Sequence, residues 1–249
     1  MIDVNWATAF IDLPPSNFDP TVAFWQVITS SGRSAVRGDR AQFATLLPAD
    51  GDPYLRVQRV ESGPAGCHLD LHVTDVEAAT AETVRLGAEI RFTEADLAVL
   101  TAPDGFVFCL VREPNDEDLR RPAPVRWPSG DSLVDQLCLD IPAPDYEQTV
   151  EFWATLTGWE LRAGALPAFR SLLRPAGIPL RLLLQRTDDE AGPGRAHLDL
   201  AALDVGAEAA RHRALGADVV RVEAFWTTLR DPAGLEYCIT ARDPATGLR

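Results

Sequence analysis

The sequence has no lysine, few histidines and no long apolar run. All 23 basic residues are therefore arginine, and they stand against 37 acidic residues, which gives a net charge of −14. Because binding to a nucleic-acid backbone needs clustered positive charge, this balance predicts no nucleic-acid partner. No apolar stretch reaches the ~20 residues that cross a bilayer, which predicts no membrane partner. The first residues, MIDVNWATAF, lack the basic start and apolar core of a signal peptide, so we expect a cytoplasmic protein.

The cysteines also lack a familiar arrangement. Cys67, Cys109, Cys138 and Cys238 form no CxxC pair, so a structural zinc site of that kind is not indicated. In a cytosolic chain of 249 residues, free and buried thiols are the expected state. We accordingly expect Cys138 and Cys238 to be packed thiols rather than nucleophiles, since no histidine is adjacent in sequence to activate them.

An internal repeat organises the chain. VAFW at 22–25 returns as VEFW at 150–153, and HLDL at 68–71 returns at 197–200. LGA, and the segments PDGFVFC and PAGLEYC, recur in the same order at nearly the same offset. Ordered anchors at a constant offset indicate a duplication. The proline-rich, acidic segment between the copies has linker composition. We therefore predict domain 1 over residues 1–113, a linker over 114–130 and domain 2 over 131–249.

Each copy divides once more. A strand is followed by an amphipathic helix and by short strands, and this order occurs twice in each domain. In HLDLHVTDV and its successor, for example, a strand precedes a helix that ends near Gly87. Asp75 and Asp204 stand just before helices and are expected to cap them. The sequence thus predicts an α+β fold of four tandem βαβββ modules, paired into two domains.

The same features resemble the vicinal oxygen chelate superfamily, in particular its glyoxalase-like, two-domain proteins. The resemblance rests on the strand that begins with histidine, the FW pair in the first helix, the LGA helix end and the closing segment DPAGLEYC. It covers nearly the whole chain apart from the linker. It implies that paired modules form open barrels with a ligand on the concave face. The family includes metal-dependent lyases and isomerases, dioxygenases and metal-free proteins of the bleomycin-resistance type, and fold alone does not choose among them.

Strand alternation predicts which side chains face the pocket. In HLDLHV the leucines share one face, while His68, Asp70 and His72 share the other. In the second copy, His197 and Asp199 take the corresponding polar positions. The same phasing adds further pocket candidates in domain 2. They are Gln136, Cys138 and Asp140 on the opening strand, Arg181 and Gln185 on a later strand, and Trp226, Glu236 and Cys238 on the closing hairpin.

The resemblance implies a metal set in domain 2. Family members take one ligand from the opening strand, one histidine and one glutamate, and these positions match Gln136, His197 and Glu236. An alignment without gaps places Cys138 at the first position, and strand phasing does not decide between Gln136 and Cys138. Such a set suits a divalent metal such as Zn, Ni, Fe, Mn or Mg. The metal would act as a Lewis acid, with Glu236 or Asp199 moving the proton.

Domain 1 departs from this pattern. Thr8 stands at the position of the first ligand, or Phe10 does if the two copies are aligned without gaps. Val107 stands at the position of the glutamate. We therefore expect domain 1 to bind no metal, although His68, Asp70 and His72 stay candidates for ligand contacts. For His68 the favoured interpretation is a hydrogen-bonded histidine at a strand start.

Two functions follow from these expectations. The first is a metal-dependent lyase or isomerase that binds a small molecule in domain 2. The alternative is a metal-free protein that sequesters a drug, with no metal cofactor. An extradiol dioxygenase is disfavoured because its first metal-binding histidine is missing. Pairing of modules within the chain makes an obligate dimer unnecessary, so a monomer or a homodimer is expected.

Overall fold

A computed structural model describes residues 1–112 and 119–248. Glu113, the last residue of predicted domain 1, and the acidic part of the predicted linker lie outside these residues. Four α-helices are described, and all lie within the predicted modules. They are α1 (Phe18–Ile28), α2 (Val76–Arg85), α3 (Tyr146–Thr157) and α4 (Val205–Ala214).

The first half of the chain contributes eight strands. They are β1 (Trp6–Leu13), β2 (Gly32–Arg33), β3 (Phe43–Leu47), β4 (Leu55–Arg59), β5 (Gly66–Val73), β6 (Glu89–Glu94), β7 (Leu97–Thr101) and β8 (Val107–Arg112). With α1 and α2 between them, the order is βαβββ twice over.

The second half repeats this order and adds one strand. Its strands are β9 (Val125–Trp127), β10 (Gly130–Ile141), β11 (Glu160–Ala163), β12 (Phe169–Leu173), β13 (Arg181–Arg186), β14 (Arg195–Ala202), β15 (Asp218–Val222), β16 (Trp226–Arg230) and β17 (Glu236–Ala241). Strand β9 lies in the segment that sequence composition marked as a linker, and it pairs with β10. The prediction of four tandem βαβββ modules is confirmed.

Each half forms one mixed sheet that is not closed. The first sheet has the strand order β2-β3-β4-β1-β5-β8-β7-β6, and the second has β11-β12-β13-β10-β14-β17-β16-β15. The two orders are the same when the duplicated strands are matched. In both sheets the first strand of the second module runs parallel to its closing strand. The register aligns Asp70 with Cys109 in the first sheet and Asp199 with Cys238 in the second.

The helix starts are fixed by the aspartates that the sequence indicated. The Asp75 side chain accepts a hydrogen bond from the backbone N–H of Ala78, and Asp204 accepts one from Ala207. Each caps a donor that the first turn of a helix leaves without an intrahelical partner. Gly87, with φ near 109°, follows the end of α2 and takes the left-handed conformation that glycine allows.

The apolar faces of β5 and β14 pack as strand alternation predicts. Leu69, Leu71, Leu198 and Leu200 are all buried. The polar residues between them lie on the opposite face, although Asp70, His72 and Asp199 are themselves almost fully enclosed. This places the predicted site residues on a single face of each sheet, away from the leucine side.

The described part of the chain separates into two compact units that do not follow the sequence halves. The first unit contains the described residues within Met1–Ala9, His68–Leu119 and Leu137–Ala196. Its core includes the fully buried Trp153, whose ring lies 4.9 Å from that of Phe108. Trp153 is therefore a core residue. No described helix is long and apolar enough to span a membrane.

The second unit contains the described residues within Phe10–Cys67, Arg120–Gln136 and His197–Arg249. Its core includes the fully buried Trp25, whose ring lies 5.2 Å from that of Tyr237. The Trp25 indole N–H donates to Asp231 Oδ2 at 3.0 Å. Asp231 Oδ1 accepts the backbone N–H groups of Ala233 and Leu235, so it holds its turn and the tryptophan together. Both tryptophans serve packing rather than ligand stacking.

A buried ion pair in the second unit generates a stability prediction. Arg242 donates to both Asp135 oxygens at 2.9 and 2.7 Å, and the Asp135 side chain is fully buried. In Asp135→Asn the guanidinium loses its counter-charge inside the protein, so we expect the free energy of unfolding to fall by about 3–5 kcal/mol. Urea denaturation followed by tryptophan fluorescence measures this loss.

The matched control is Glu160→Gln, which removes an exposed carboxylate paired with Arg162. We expect no measurable change in its unfolding midpoint, because solvent screens such pairs. Equal midpoints for the Asp135 variant and the wild type would contradict the assigned role of the buried pair.

A buried histidine in α4 generates a pH prediction. His212 is fully enclosed, with Glu208, Arg211 and Tyr237 as its charged and titratable neighbours. Burial lowers the pKa of His212 below its ordinary value of 6.5, although Glu208 opposes the shift. Since the unfolded chain then takes up the proton first, the free energy of unfolding should fall as the pH drops below about 6.5.

The Glu208 carboxylate affects the free energy of unfolding at a lower pH than His212 does. Burial alone would raise its pKa, but hydrogen bonds from Arg211 and His212 outweigh burial and hold the pKa well below 4.5. Its stabilisation is present above pH 4.5 and is lost below it. In His212→Gln we therefore expect a flatter dependence of unfolding free energy between pH 6.5 and 4.5, measured by urea denaturation at a series of pH values. An unchanged slope in that window would refute the assignment.

Candidate functional site

The polar face of β14 carries the histidine and aspartate that the sequence singled out. His197 Nε2 lies 3.4 Å from Asp199 Oδ1, and the Asp199 side chain is 2% exposed. Two residues apart on one strand, they point to the same side of the sheet because side chains alternate. Asp199 Oδ1 has no hydrogen-bond partner among the described residues. A buried carboxylate oxygen without a donor is costly, so this atom is suited to a positively charged partner.

Gln136 orients this carboxylate. It lies on β10 with its side chain buried, and its Nε2 donates a hydrogen bond to Asp199 Oδ2. Since that bond occupies one Asp199 oxygen, the other is left facing His197. The structure thus brings together three residues of the predicted site, with Gln136 in contact with Asp199.

One cysteine, Cys238, lies beside this pair. Cys238 Sγ lies 3.7 Å from His197 Nε2 and 3.5 Å from Thr228 Oγ1. Burial, followed by the charge of Asp199, raises the pKa of the Cys238 thiol, so it is protonated in the metal-free protein at neutral pH. The thiol of Cys138 is carried by β10 and is also buried. The same thiol also lies 3.5 Å from Gln185 Oε1.

Glu236 lies at the start of β17, and its side chain is more exposed than those of His197 and Asp199. Its Oε1 accepts a hydrogen bond from Arg230 Nη2 at 2.7 Å, and its side chain is 46% exposed. Arg230 and Glu236 are directly opposite each other on the antiparallel strands β16 and β17. This cross-strand ion pair holds the carboxylate near the sheet surface, where water reaches it.

The other pocket candidates of the second half lie at or next to the ends of β10, β13 and β16. Asp140, Arg181, Gln185 and Trp226 are all half-buried. Asp140 Oδ1 lies 3.9 Å from Cys138 Sγ. Trp226 begins β16 opposite Thr240.

The first sheet carries a similar group with different neighbours. His68 Nε2 lies 3.7 Å from Asp70 Oδ1, and the ligand atoms of His68, Asp70 and Cys109 all lie within 4.8 Å of one another. His72, further along β5, has its Nε2 2.9 Å from Thr8 Oγ1 in a buried contact. Thr8, which stands where a first metal ligand was sought, is thus the hydrogen-bond partner of His72.

A separate cavity of about 240 Å³ lies in the second unit. Its lining includes the apolar side chains of Ile28, Leu46, Leu55 and Leu133, and its polar members include Asp50, Tyr54, Arg126 and Ser132. None of the His, Asp or Cys residues of the two polar groups lines it. It is therefore distinct from the polar groups on the two sheets.

A family model named "Glyoxalase-like domain" matches the chain twice, over residues 8–111 and 136–240. The chain belongs to this glyoxalase-like family. The family lies within the vicinal oxygen chelate superfamily, as the sequence resemblance implied. The two matches coincide with the two sheets, so each sheet is a glyoxalase-like domain. No curated protein sequence matches the chain.

Solved structures share the fold at low sequence identity. A Mn(II)-bound glyoxalase from Novosphingobium aromaticivorans is 18% identical, with a TM-score of 0.65 over 99% of this chain and 86% of that one. A variant of homoprotocatechuate 2,3-dioxygenase from B. fuscum is 16% identical, with a TM-score of 0.65 over 99% and 73%. A mutant of 4-hydroxymandelate synthase from Streptomyces coelicolor is 14% identical, with a TM-score of 0.58 over 98% and 95%. At these identities the likeness establishes the fold alone.

The residues on the second sheet fit a divalent metal. An imidazole nitrogen, a carboxylate oxygen and a thiol are the donor types that borderline divalent ions accept. Asp199 Oδ1, buried and without a hydrogen-bond donor among the described residues, faces His197 Nε2. The fit therefore rests on the donor chemistry and on one carboxylate oxygen that a cation would satisfy.

Sequence reasoning offered Cys138 as an alternative metal ligand but did not connect the other thiols with the histidine strands. Cys109 was not among the candidate site residues, and Cys238 was interpreted as a packed thiol. A usable signal was present, because His68, Asp70 and Cys109 recur at an offset of 129 as His197, Asp199 and Cys238. Parallel pairing of the closing strand with the histidine strand brings the cysteine beside the aspartate in both sheets.

The burial of all four cysteines generates a prediction. Each is a free thiol and each is buried. Burial and the nearby charge of Asp199 raise the pKa of Cys238, and burial raises that of Cys67. Since the thiolate is the reactive form, we expect no fast-reacting thiol in the native protein at neutral pH and four after unfolding. Titration with a chromogenic disulfide reagent measures both counts, and a fast-reacting thiol in the native protein would contradict the burial.

Proposed function

We propose that the protein binds a small molecule on the polar face of the second sheet, through a divalent metal held by His197 and Asp199. The observation that carries the proposal is the buried Asp199 Oδ1, 3.4 Å from His197 Nε2 and without a hydrogen-bond donor among the described residues. Cys238 would supply the third donor, since its Sγ lies 3.7 Å from His197 Nε2. The site belongs to domain 2, for which we propose residues 131–249.

The proposed reaction class is that of a lyase or isomerase acting on a substrate with two adjacent oxygen atoms. When bound, the metal would supply Lewis-acid polarisation of those oxygens. Gln136 is a positioning residue, because its hydrogen bond fixes the orientation of Asp199. Three protein donors leave a position open for substrate in the manner of catalytic rather than structural sites.

We propose Glu236 as the proton carrier of this reaction. Its carboxylate is not enclosed, and the ion pair with Arg230 holds it in place while leaving it accessible to water. Asp199 is then reserved for the metal. Sequence reasoning had instead placed Glu236 in the metal set and left the proton carrier open between Glu236 and Asp199. The present assignment makes Glu236 separable from metal binding by mutation.

The proposal predicts a distinct pattern of metal binding. His197→Ala and Asp199→Asn should lose the second-sheet metal, because each removes a donor atom. Glu236→Gln should keep it and serves as the matched control, since it removes a carboxylate outside the group. Elemental analysis of protein purified without chelator, followed by Zn²⁺ titration against a chromophoric chelator, measures the bound metal. Loss of metal in Glu236→Gln would instead favour a ligand set of Gln136, His197 and Glu236.

A bidentate oxygen ligand tests the substrate class. Acetohydroxamate, which presents two adjacent oxygens, should perturb the visible spectrum of the Co²⁺-loaded protein, and Asp199→Asn should abolish the change. Failure of wild-type protein to retain any metal on the second sheet would overturn the proposal. In that case, ligand-induced thermal shifts that chelator does not alter would support metal-free binding of a drug-like molecule.

A further inference from the structure

The first sheet has its own set of metal-ligating side chains. His68 and Asp70 stand two residues apart on β5, and Cys109 lies on the neighbouring strand β8. The parallel register places Cys109 beside Asp70, so all three side chains project from the same region of the sheet. Their ligand atoms lie within 4.8 Å of one another. A nitrogen, an oxygen and a sulfur donor therefore converge on one point.

The spacing is close to that of a bound ion. A tetrahedral zinc ion with bonds of ~2.0–2.3 Å holds its ligand atoms roughly 3.3–3.8 Å apart. His68 Nε2 and Asp70 Oδ1 are already 3.7 Å apart. The remaining distances within the group, at most 4.8 Å, need only small side-chain adjustments to close around an ion.

The group is also well enclosed. The side chains of His68 and Asp70 are 16% and 7% exposed, and Cys109 is buried. A carboxylate and a thiol in so dry a place favour a cation that both can contact. Enclosure of this kind distinguishes the group from a chance cluster of surface acids.

The internal duplication gives an independent argument. The two copies have diverged around the group, since His72 matches Ala201 and Val107 matches Glu236 at the same offset of 129. His68, Asp70 and Cys109 nevertheless recur as His197, Asp199 and Cys238. Both copies thus keep one imidazole, one carboxylate and one thiol in the same places, while neighbouring pocket positions changed.

We propose that the first sheet binds a divalent metal ion through His68, Asp70 and Cys109, with a fourth position open to water or a small ligand. The thiolate and imidazole donors favour Zn²⁺ over Mg²⁺ or Ca²⁺. The site goes beyond the proposed second-sheet function and replaces our expectation that domain 1 binds no metal. His72 is outside the set, because its Nε2 is engaged with Thr8.

Metal stoichiometry tests the proposal in the full chain. Zn²⁺ titration of metal-free wild-type protein against a chromophoric chelator should give two equivalents. Cys109→Ser and Asp70→Asn should each lose one equivalent and keep the other. With Co²⁺ as the probe, Cys109→Ser should also lose part of the near-ultraviolet band that arises from thiolate-to-metal charge transfer, a readout that does not depend on any enzyme activity.

The matched control is His72→Gln, which removes a histidine from the same face of β5 but should keep both equivalents. Circular dichroism of each metal-free variant checks that it folds. If Cys109→Ser does not fold, Asp70→Asn provides the test of the first-sheet site. Loss of one equivalent in His72→Gln, with none lost in Cys109→Ser and Asp70→Asn, would overturn the assigned ligands.

The two proposals fail in different ways. Suppose that the wild type binds one equivalent of Zn²⁺, which is kept in Cys109→Ser and lost in Asp199→Asn. That result would overturn the first-sheet site and leave the second-sheet proposal intact. A single equivalent with the reverse pattern would support the first-sheet site and overturn the second-sheet proposal. Absence of any bound metal would overturn both.

Discussion

The two-residue period of a β-strand is the constraint on which the rest of this structure depends. In β5 and β14 it turns every leucine toward the packed side and every polar residue toward the other. Leu198 and Leu200 are consequently buried in the core, while His197 and Asp199 share the opposite face. A shift of one residue in register would exchange the two faces, so core packing and site geometry are set by the same pairing.

Parallel pairing of each histidine strand, β5 or β14, with the closing strand of its sheet is a second constraint on the candidate sites. It places Cys109 beside Asp70 and Cys238 beside Asp199, which adds a thiol to a histidine and a carboxylate. From the same closing strand, Tyr237 points the other way and packs against Trp25 in the core. Alternation on β17 thus makes one strand contribute to both the candidate site and the hydrophobic core.

Local features of the fold were predictable from the sequence because they depend on neighbouring residues. The four βαβββ modules, the aspartate caps of α2 and α4 and the apolar faces of β5 and β14 all follow from short-range patterns. Contacts between distant residues were not predictable in this way. Trp25 and Asp231 are 206 positions apart, and only the folded chain brings the indole to the carboxylate.

In the candidate site too, short-range patterns were predictable from the sequence and long-range contacts were not. Alternation selected His197, Asp199 and Gln136 for one face, and the structure brings these three together. Strand alternation does not predict that Gln136 donates to Asp199 or that Arg230 pairs with Glu236. Both contacts depend on how separate strands align. The compact units are a further long-range property, since each combines segments from both halves of the chain.

The central claim is that a divalent metal lies on the polar face of the second sheet. The most direct measurement is an anomalous difference map at the zinc edge, from crystals grown with Zn²⁺. The account predicts a peak within bonding distance of His197 Nε2 and Asp199 Oδ1. A map with no peak at these atoms in zinc-saturated crystals, or with its second-sheet peak bound by Glu236 and not by Asp199, would contradict it.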